Sequence, residues 1–222
     1  MRNMLSVFLN DYNDIFPVIL MSLFVSLSST VIAAGLGLIA GIPIALNDFK
    51  LKGALMRVVH TLMSLPPVLM GLVVYLLLSR RGPLGSFELL FTPAAMIIAQ
   101  SLLIFPIVLG LTVASISKSG REIKKTCISL GADSIDTFKI IISESKFQIL
   151  TIVTTGFGRA ISEVGAVMMV GGNIKGFTRV MTTYIALETG KGNFNEAIII
   201  GLVLLFISFV INSIIHKFQG SQ

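Results

Sequence analysis

Long apolar stretches divide the chain into five parts. Four stretches contain no Asp, Glu, Lys or Arg: residues 15–47, 58–79, 89–117 and 197–216. A fifth, residues 147–174, contains only Arg159 and Glu163. Each stretch can supply the run of about 20 apolar residues that a helix needs to cross ~30 Å of hydrocarbon. Because the stretches are continuously apolar rather than alternating, the pattern predicts helices and not a β-barrel.

We therefore predict an all-α integral membrane protein in which residues 1–222 form a single transmembrane domain. The five predicted transmembrane helices lie at about residues 17–46, 56–78, 92–116, 147–171 and 195–216. Between the third and fourth helices lies a segment at residues 118–146, and between the fourth and fifth lies a loop at 172–193.

Prolines and small residues predict how these helices bend and pack. Pro66–Pro67 and Pro106 lie inside predicted spans, remove backbone hydrogen bonds, and are expected to kink their helices. Ala33, Gly37 and Gly41 recur at spacings of four residues. Small residues at that spacing let the backbones of membrane helices approach closely.

Composition excludes several classes of protein. Only 13% of the residues are charged and the mean hydropathy is +0.92, so a soluble or disordered chain is excluded. The net charge is +6, but in a membrane protein the positions of the basic residues beside the spans matter more, because they report orientation. We expect no nucleic-acid partner. With one Cys and two His, and no phosphate-binding loop or His-Glu-x-x-His motif, we expect no catalytic residue, no metal site and no cofactor.

Charges flanking the first helix predict the orientation. Asp11 and Asp14 precede this helix, whereas Lys50, Lys52 and Arg57 follow it. Because basic residues favour the cytoplasmic side, the N-terminus is predicted outside. Five spans then place the C-terminus in the cytoplasm, the segment at 118–146 inside and the loop at 172–193 outside.

An ion pair interrupts the fourth apolar stretch. Arg159 lies twelve residues after Phe147, or about 18 Å along a helix, near the middle of a bilayer. Glu163 is four residues further on, so the two charges share a face and neutralise each other. Charges in a membrane span face the protein interior or water. We assign Arg159, Ser162 and Glu163 to a functional site, with a purely structural ion pair as the alternative.

The outer loops carry basic residues. Arg80 and Arg81 follow the second helix, and the loop at 172–193 contains Asn173, Lys175 and Arg179. Part of this second loop, from about residue 179 to 189, is compatible with a helix. A basic outer rim suits an anionic solute or an acidic partner surface. Ordinary solvated loop charge is an equally open interpretation.

The inner segment at 118–146 has the pattern of two short helices. Gly131–Ala132 marks the break between them, and Asp133 or Ser134 can cap the second helix. One face of that second helix is apolar and carries Ile135, Phe138 and Ile141. Such a helix either lies on the membrane or docks on another protein.

Three motifs resemble one transporter family. Residues 64–71 read Ser-Leu-Pro-Pro-Val-Leu-Met-Gly, residues 80–85 read Arg-Arg-Gly-Pro-Leu-Gly, and a longer motif runs from Gly156 to Arg179. The chain resembles the permease subunit of type I ATP-binding-cassette importers of the tungstate, molybdate and sulfate group. The long motif is most similar to the tungstate branch.

This resemblance implies a homodimer of five-helix subunits that encloses an oxyanion pathway. It also implies a separate cytoplasmic ATP-binding subunit, docked on the segment at 118–146, and an extracytoplasmic substrate-binding protein. Gly131 aligns with the central glycine of the family's docking motif, whereas Lys125-Thr126-Cys127 replaces its usual Glu-Ala-Ala. A molybdate or sulfate permease, a gradient-driven anion channel or secondary transporter, and a membrane scaffold remain the alternatives.

Overall fold

The computed structural model describes residues 12–117 and 119–219, and no strand occurs within these ranges. The all-α prediction is confirmed for them. Asp11 and Lys118, which contribute to the orientation and inner-segment predictions, lie outside the described residues. The helices are α1 Tyr12–Leu46, α2 Lys52–Met63, α3 Pro67–Leu78, α4 Pro93–Ile116, α5 Ser119–Ser129, α6 Ser134–Glu144, α7 Lys146–Ile161, α8 Gly165–Gly171, α9 Met181–Gly190 and α10 Phe194–Gln219, with a 3-10 turn at Gly85–Phe87.

Within the described ranges, three helices are long and apolar enough to cross a membrane. They are Ile15–Leu46 within α1, Pro93–Ile116, and Phe194–Ile215 within α10. The second predicted span is instead a pair of helices, α2 and α3, bent by 98° at a short break. The predicted kink at Pro66–Pro67 is confirmed, because Pro67 begins α3 after Ser64 has ended α2.

The fourth predicted span, residues 147–171, is corrected to two helices, α7 and α8. Helix α7 ends at Ile161, and α8 begins only at Gly165. The Glu163 carboxylate explains the break, because its Oε1 accepts a hydrogen bond from the backbone N–H of Ala166 at 3.0 Å. A side-chain acceptor at this position satisfies a free N–H of a new helix and so favours its start.

Helix α4 lies at the centre of the molecule and packs against α1, α2, α3, α7 and α8. Its contact with α1 depends on small residues. A Cβ atom at Gly37 would lie 2.6 Å from Cγ1 of Val108, and one at Gly41 would lie 2.9 Å from Cβ of Thr112. Both distances are too short for a side chain, so the predicted close approach of this helix is confirmed.

The inner segment forms α5 and α6, as predicted. Gly131, between them, has φ +82°, a conformation that favours glycine. Asp133 caps α6 by accepting a hydrogen bond from the Asp136 N–H at 2.7 Å. Helix α6 is held to the rest of the chain by Ile141, which is fully buried in a cluster with α1 and α4.

Helix α9 occupies part of the predicted outer loop, in agreement with the helix considered possible there. It packs along α10, and Met181 at its start lies in a buried cluster with Val18 and Ile200. The Met181 N–H donates a hydrogen bond to Ser22 Oγ of α1 at 2.7 Å. The loop between α8 and α9 therefore ends where the start of α9 packs against α1.

Candidate functional site

The two broken spans meet close to their breaks. A Cβ atom at Gly165, the first residue of α8, would lie 2.6 Å from Cγ2 of Val68, the second residue of α3. Further along, a Cβ atom at Gly71 would lie 2.7 Å from Cα of Ala166. The start of α3 and the start of α8 are thus in direct contact.

The predicted ion pair is present at the α7–α8 break. Nη2 of Arg159 lies 3.5 Å from Oε2 of Glu163. The Glu163 side chain is only 2% exposed, whereas the Arg159 side chain is 37% exposed. The carboxylate is therefore inside the subunit and the guanidinium reaches its surface.

Glu163 connects three helices. Its carboxylate binds Arg159 of α7 and the Ala166 N–H of α8, and its main-chain carbonyl accepts a hydrogen bond from Thr182 Oγ1 of α9 at 2.7 Å. The sequence places Arg159 and Glu163 on one continuous helix. In the structure Glu163 lies beyond the end of α7, so the carboxylate is fixed by the helix cap as well as by the arginine.

Ser162 belongs to a polar stripe on α7. The stripe consists of exposed hydroxyl side chains one turn apart and an open glycine, together Thr151, Thr155, Gly158 and Ser162. The Ser162 hydroxyl donates to the Gly158 carbonyl at 2.9 Å, and the Arg159 side chain emerges beside it. Polar groups at membrane depth face protein or water rather than lipid. The half-exposed Arg159 on this face of α7 is therefore expected to contact protein or water rather than lipid.

A buried amide network behind the break was not predicted. Nε2 of Gln100, in α4, donates to the Ala160 carbonyl of α7 at 3.0 Å. Its Oε1 accepts a hydrogen bond from Ser29 Oγ of α1 at 2.8 Å. Gln100 is 3% exposed, and it holds the last turn of α7 against two long helices. The sequence signal for this network is an amide side chain inside a charge-free apolar stretch.

The outer-loop residues lie together. Asn173, with φ +51°, accepts hydrogen bonds at Oδ1 from Thr183 Oγ1 at 3.0 Å and from Nε of Arg179 at 3.2 Å. The Arg179 guanidinium also lies 5.2 Å from the centre of the Tyr184 ring. Lys175 and Arg179 line one small cavity of about 120 Å³. The structure therefore brings all three predicted outer-loop residues into one neighbourhood.

Arg80 and Arg81 occupy a different outer cavity. They line a space of about 590 Å³ together with Tyr75, Glu88 and Phe91. Neither arginine lines the cavity beside Lys175 and Arg179. The predicted basic rim consists of two separate basic regions.

The inner-segment residues divide into two groups. Ile141 is fully buried and Phe138 is half-buried against the same core, so both attach α6 to the chain's own helices. Ile135 is 65% exposed, and Ile128 and Leu130 beside the Gly131 turn are 60% and 82% exposed. Ala132 is half-buried. Ile140 and Ile142, further along α6, are 39% and 37% exposed. The most exposed apolar side chains lie around the Gly131 turn and are Ile128, Leu130 and Ile135, named here the inner patch.

Long apolar helices and two broken spans in contact define a polytopic helical membrane protein. A half-exposed arginine and a polar stripe lie at one of the breaks. Within the described residues, no group of three or more His, Cys, Asp or Glu side chains is placed to hold a metal ion. The chain belongs to the family of binding-protein-dependent transport system inner membrane components, whose model matches residues 33–220.

Individual relatives agree with this assignment. The chain is 50% identical to the tungstate uptake system permease protein TupB of Peptoclostridium acidaminophilum, over 93% of this chain and 90% of that protein. It is 41% identical to the tungstate uptake system permease protein TupB of Campylobacter jejuni, over 78% and 72% of the two chains. It is 38% identical to a probable anion ABC transporter permease protein of Haloferax volcanii, over 89% and 88%.

Proposed function

We propose that this chain is the permease subunit of an ATP-driven importer and forms the pathway by which tungstate crosses the membrane. Similarity to two tungstate uptake permeases along most of the chain supports the substrate. Membership of a binding-protein-dependent transport family supports the mode of energy supply. A separate ATP-binding subunit hydrolyses ATP, and an extracytoplasmic binding protein delivers the anion.

The half-exposed Arg159 is the observation on which the pathway assignment depends. A tungstate dianion finds no solvation in hydrocarbon, so its path requires water and fixed positive charge. Arg159 supplies that charge beside the polar stripe of α7, where the hydroxyl of Ser162 also lies. A second copy of the chain would supply the same groups from the other side of the pathway.

Glu163 sets how strongly Arg159 attracts the anion. Conduction requires sites that release the ion as well as bind it. The buried Glu163 carboxylate lies 3.5 Å from the Arg159 guanidinium and lowers the positive potential that the anion meets. The carboxylate itself is not exposed to the anion. Because Glu163 also caps α8, it fixes the distance between the charge and the break.

The side of the molecule that carries both breaks faces the second copy. Helix α3 has 12 residues, about 18 Å, and is too short to cross ~30 Å of hydrocarbon alone. Its exposed face is apolar and carries Val68, Leu69, Leu72, Val73 and Leu76.

Counted as crossings, α2–α3 and α7–α8 bring the total to five, with the N-terminus outside and the C-terminus in the cytoplasm.

The inner patch is the docking surface for the ATP-binding subunit. Its three apolar side chains are exposed on the described chain and surround the Gly131 turn. Burying them against a partner is favourable at about 25 cal/mol per Å² of apolar surface. On the opposite side, Asn173, Lys175 and Arg179 face the binding protein.

Reconstituted transport tests the proposed function. The permease, its ATP-binding subunit and the binding protein are placed in proteoliposomes, and uptake of tungstate, molybdate and sulfate is measured in parallel. We expect ATP-dependent uptake with tungstate preferred. Uptake driven by an ion gradient without ATP would show a secondary transporter, and preferred uptake of sulfate or molybdate would show that the substrate is wrong.

Coupling is tested separately at the inner patch. Leu130→Glu and Ile135→Glu place charges on exposed positions, so folding is retained while docking is lost. We expect stimulation of ATP hydrolysis by the loaded binding protein to disappear. Leu84→Glu, at a 42% exposed apolar position in the loop after α3, is the matched control. Gly131→Pro should have the same effect as the patch variants, because proline cannot adopt the φ of +82° found at this position.

A further inference from the structure

Helix α2 occupies only the inner boundary of the membrane region. Nζ of Lys52 donates to the Ala45 carbonyl in the last turn of α1. At the other end, a Cβ atom at Gly110 would lie 2.6 Å from Sδ of Met63. Gly110 precedes the end of α4 at Ile116 by six residues, or about 9 Å. Helix α2 is ~18 Å long but extends only ~9 Å along the bilayer normal. It therefore lies obliquely to that normal.

The sides of α2 have three different characters. The side packed on α4 carries Met56, Val59 and Met63. A second side is apolar and exposed, with Leu51, Leu55, Val58 and Leu62. A third side is polar and exposed, with Arg57, His60, Thr61 and Ser64. One side contacts the protein, and the other two sides point away from it in different directions.

This arrangement is that of a helix lying at a membrane surface. Such helices bury their apolar face about 5–10 Å into the boundary between headgroups and acyl chains, and their polar face carries Lys or Arg. The ~9 Å depth range of α2 matches this burial depth. The 98° bend between α2 and α3 directs α2 away from the direction in which α3 crosses the membrane.

Arg57, in the middle of α2, lacks an acidic counterpart in the described chain. Asp48, the acidic residue just before α2, is already bound by Lys52 at 3.4 Å and by Arg121 at 2.9 Å. Arg57 makes no ion pair with any residue in the described ranges. Lys50 is exposed immediately before the helix.

We propose that α2 is an interfacial helix that binds the headgroups of anionic phospholipids in the inner leaflet. Arg57, His60 and Lys50 contact the headgroups, and the exposed apolar side of α2 enters the acyl region. Charge complementarity favours an anionic lipid, because Lys and Arg side chains near a membrane surface are attracted to anionic headgroups. The proposal rests on the proposed orientation, which places α2 at the inner leaflet, and it does not depend on the tungstate pathway.

Because the chain contains no Trp, one introduced Trp reports on α2 once the fluorescence of the complex formed by the unaltered chain is subtracted. Val58→Trp, at a 56% exposed position, is placed in the complete permease–ATPase complex and reconstituted in bilayers. We expect quenching by brominated phosphatidylcholine, and stronger quenching by the same fraction of brominated phosphatidylglycerol. Phe206→Trp on α10 serves as the lipid-exposed reference, and Phe87→Trp, at a 64% exposed position in the loop after α3, serves as the water-exposed reference quenched by iodide. Leu55→Trp repeats the measurement if Val58→Trp assembles poorly.

A charge variant tests headgroup recognition. Arg57→Gln combined with His60→Gln, in the Val58→Trp background, should lower the preference for phosphatidylglycerol about fivefold or more. Quenching by phosphatidylcholine should not change, because the apolar side of α2 is intact. Arg80→Gln, which removes one exposed charge on the outer side, should leave the preference unchanged.

Three results would overturn the proposal. Quenching of Val58→Trp by iodide but not by brominated lipid would show that α2 lines a water-filled path. Protection from both quenchers would show that a second copy or another subunit covers it. Equal quenching by the two lipids would show apolar contact without headgroup recognition.

Discussion

Two ion pairs in this molecule have almost the same exposure and very different surroundings. In each, a carboxylate is buried and its basic partner is half-exposed: Glu163 is 2% exposed with Arg159 at 37%, and Glu188 is 3% exposed with Lys191 at 52%. In each, the carboxylate has a second donor within the chain. Burial alone therefore does not separate a structural pair from a functional one.

Their positions do separate them. Glu188 and Lys191, 2.7 Å apart, lie where α9 turns into α10, and Asn193 donates to Glu188 at 2.8 Å. This turn lies outside every helix long enough to span a membrane. Glu163 and Arg159 lie at a break within a predicted span, beside a polar stripe. The first pair closes a turn, whereas the second places a half-exposed charge at the break between two helices.

Loss of the basic partner should distinguish the two pairs most strongly. Arg159→Ala leaves a buried carboxylate at membrane depth, which costs about 3–5 kcal/mol. Lys191→Ala leaves Glu188 bound to Asn193 at a turn, and should cost about 1 kcal/mol. Denaturant titration of the purified, solubilised chain measures both changes. Equal losses of stability would contradict the difference in surroundings.

The amide behind the break should have an intermediate effect. Gln100→Leu removes both buried hydrogen bonds of the side chain and leaves the Ser29 hydroxyl without this acceptor, for a cost of about 1–3 kcal/mol. At the other pair, Asn193→Ala should cost about 1 kcal/mol, because Lys191 still satisfies Glu188. The same titration compares them, and a smaller effect for Gln100→Leu would show that the network does not hold α7.

Added methyl groups give the smallest difference. Gly165→Ala forces a Cβ to within 2.6 Å of Val68 and should cost about 1–2 kcal/mol through overpacking. Gly190→Ala, at the end of α9, meets no atom within 4 Å and should be neutral or slightly stabilising. A neutral Gly165→Ala would mean that α3 and α8 separate easily at their contact.

The apolar pattern predicted the helical class, the bend at Pro66–Pro67 and the Gly131 turn, because these depend on local chemistry. It did not predict the break in α7–α8. The signal was present, since Ser162 and Glu163 precede an apolar run as helix-capping residues do. A continuous hydrophobic stretch concealed it, because hydropathy does not report where one carboxylate finds a backbone N–H.

Other parts depended on tertiary contacts that no local pattern contains. Periodicity grouped Ile135 with Phe138 and Ile141 on one face of α6. The structure buries Ile141 in the chain's own core and exposes Ile135, because the helix has a neighbour on only one side. The partnership of Gln100 with Ala160 likewise joins residues 60 positions apart. Such contacts follow from packing and not from spacing.

The central claim, that Arg159 and Glu163 serve the passage of the anion, is tested most directly by removing both charges. Arg159→Gln combined with Glu163→Gln keeps a hydrogen-bond acceptor for the Ala166 N–H and leaves no buried charge unpaired. Lys191→Gln combined with Glu188→Gln is the matched control at the second pair. Both double variants are assembled with the ATP-binding subunit and the binding protein, and the initial rate of ATP-dependent tungstate uptake is measured.

We predict that both double variants assemble normally. The Arg159→Gln/Glu163→Gln complex should transport tungstate at least tenfold more slowly than the unaltered complex, because a loss of about 1.4 kcal/mol of stabilisation along the path is sufficient for that factor. The control complex should transport within twofold of the unaltered rate. Equal rates for both assembled variants would show that the pair at the break is structural and that the anion passes elsewhere.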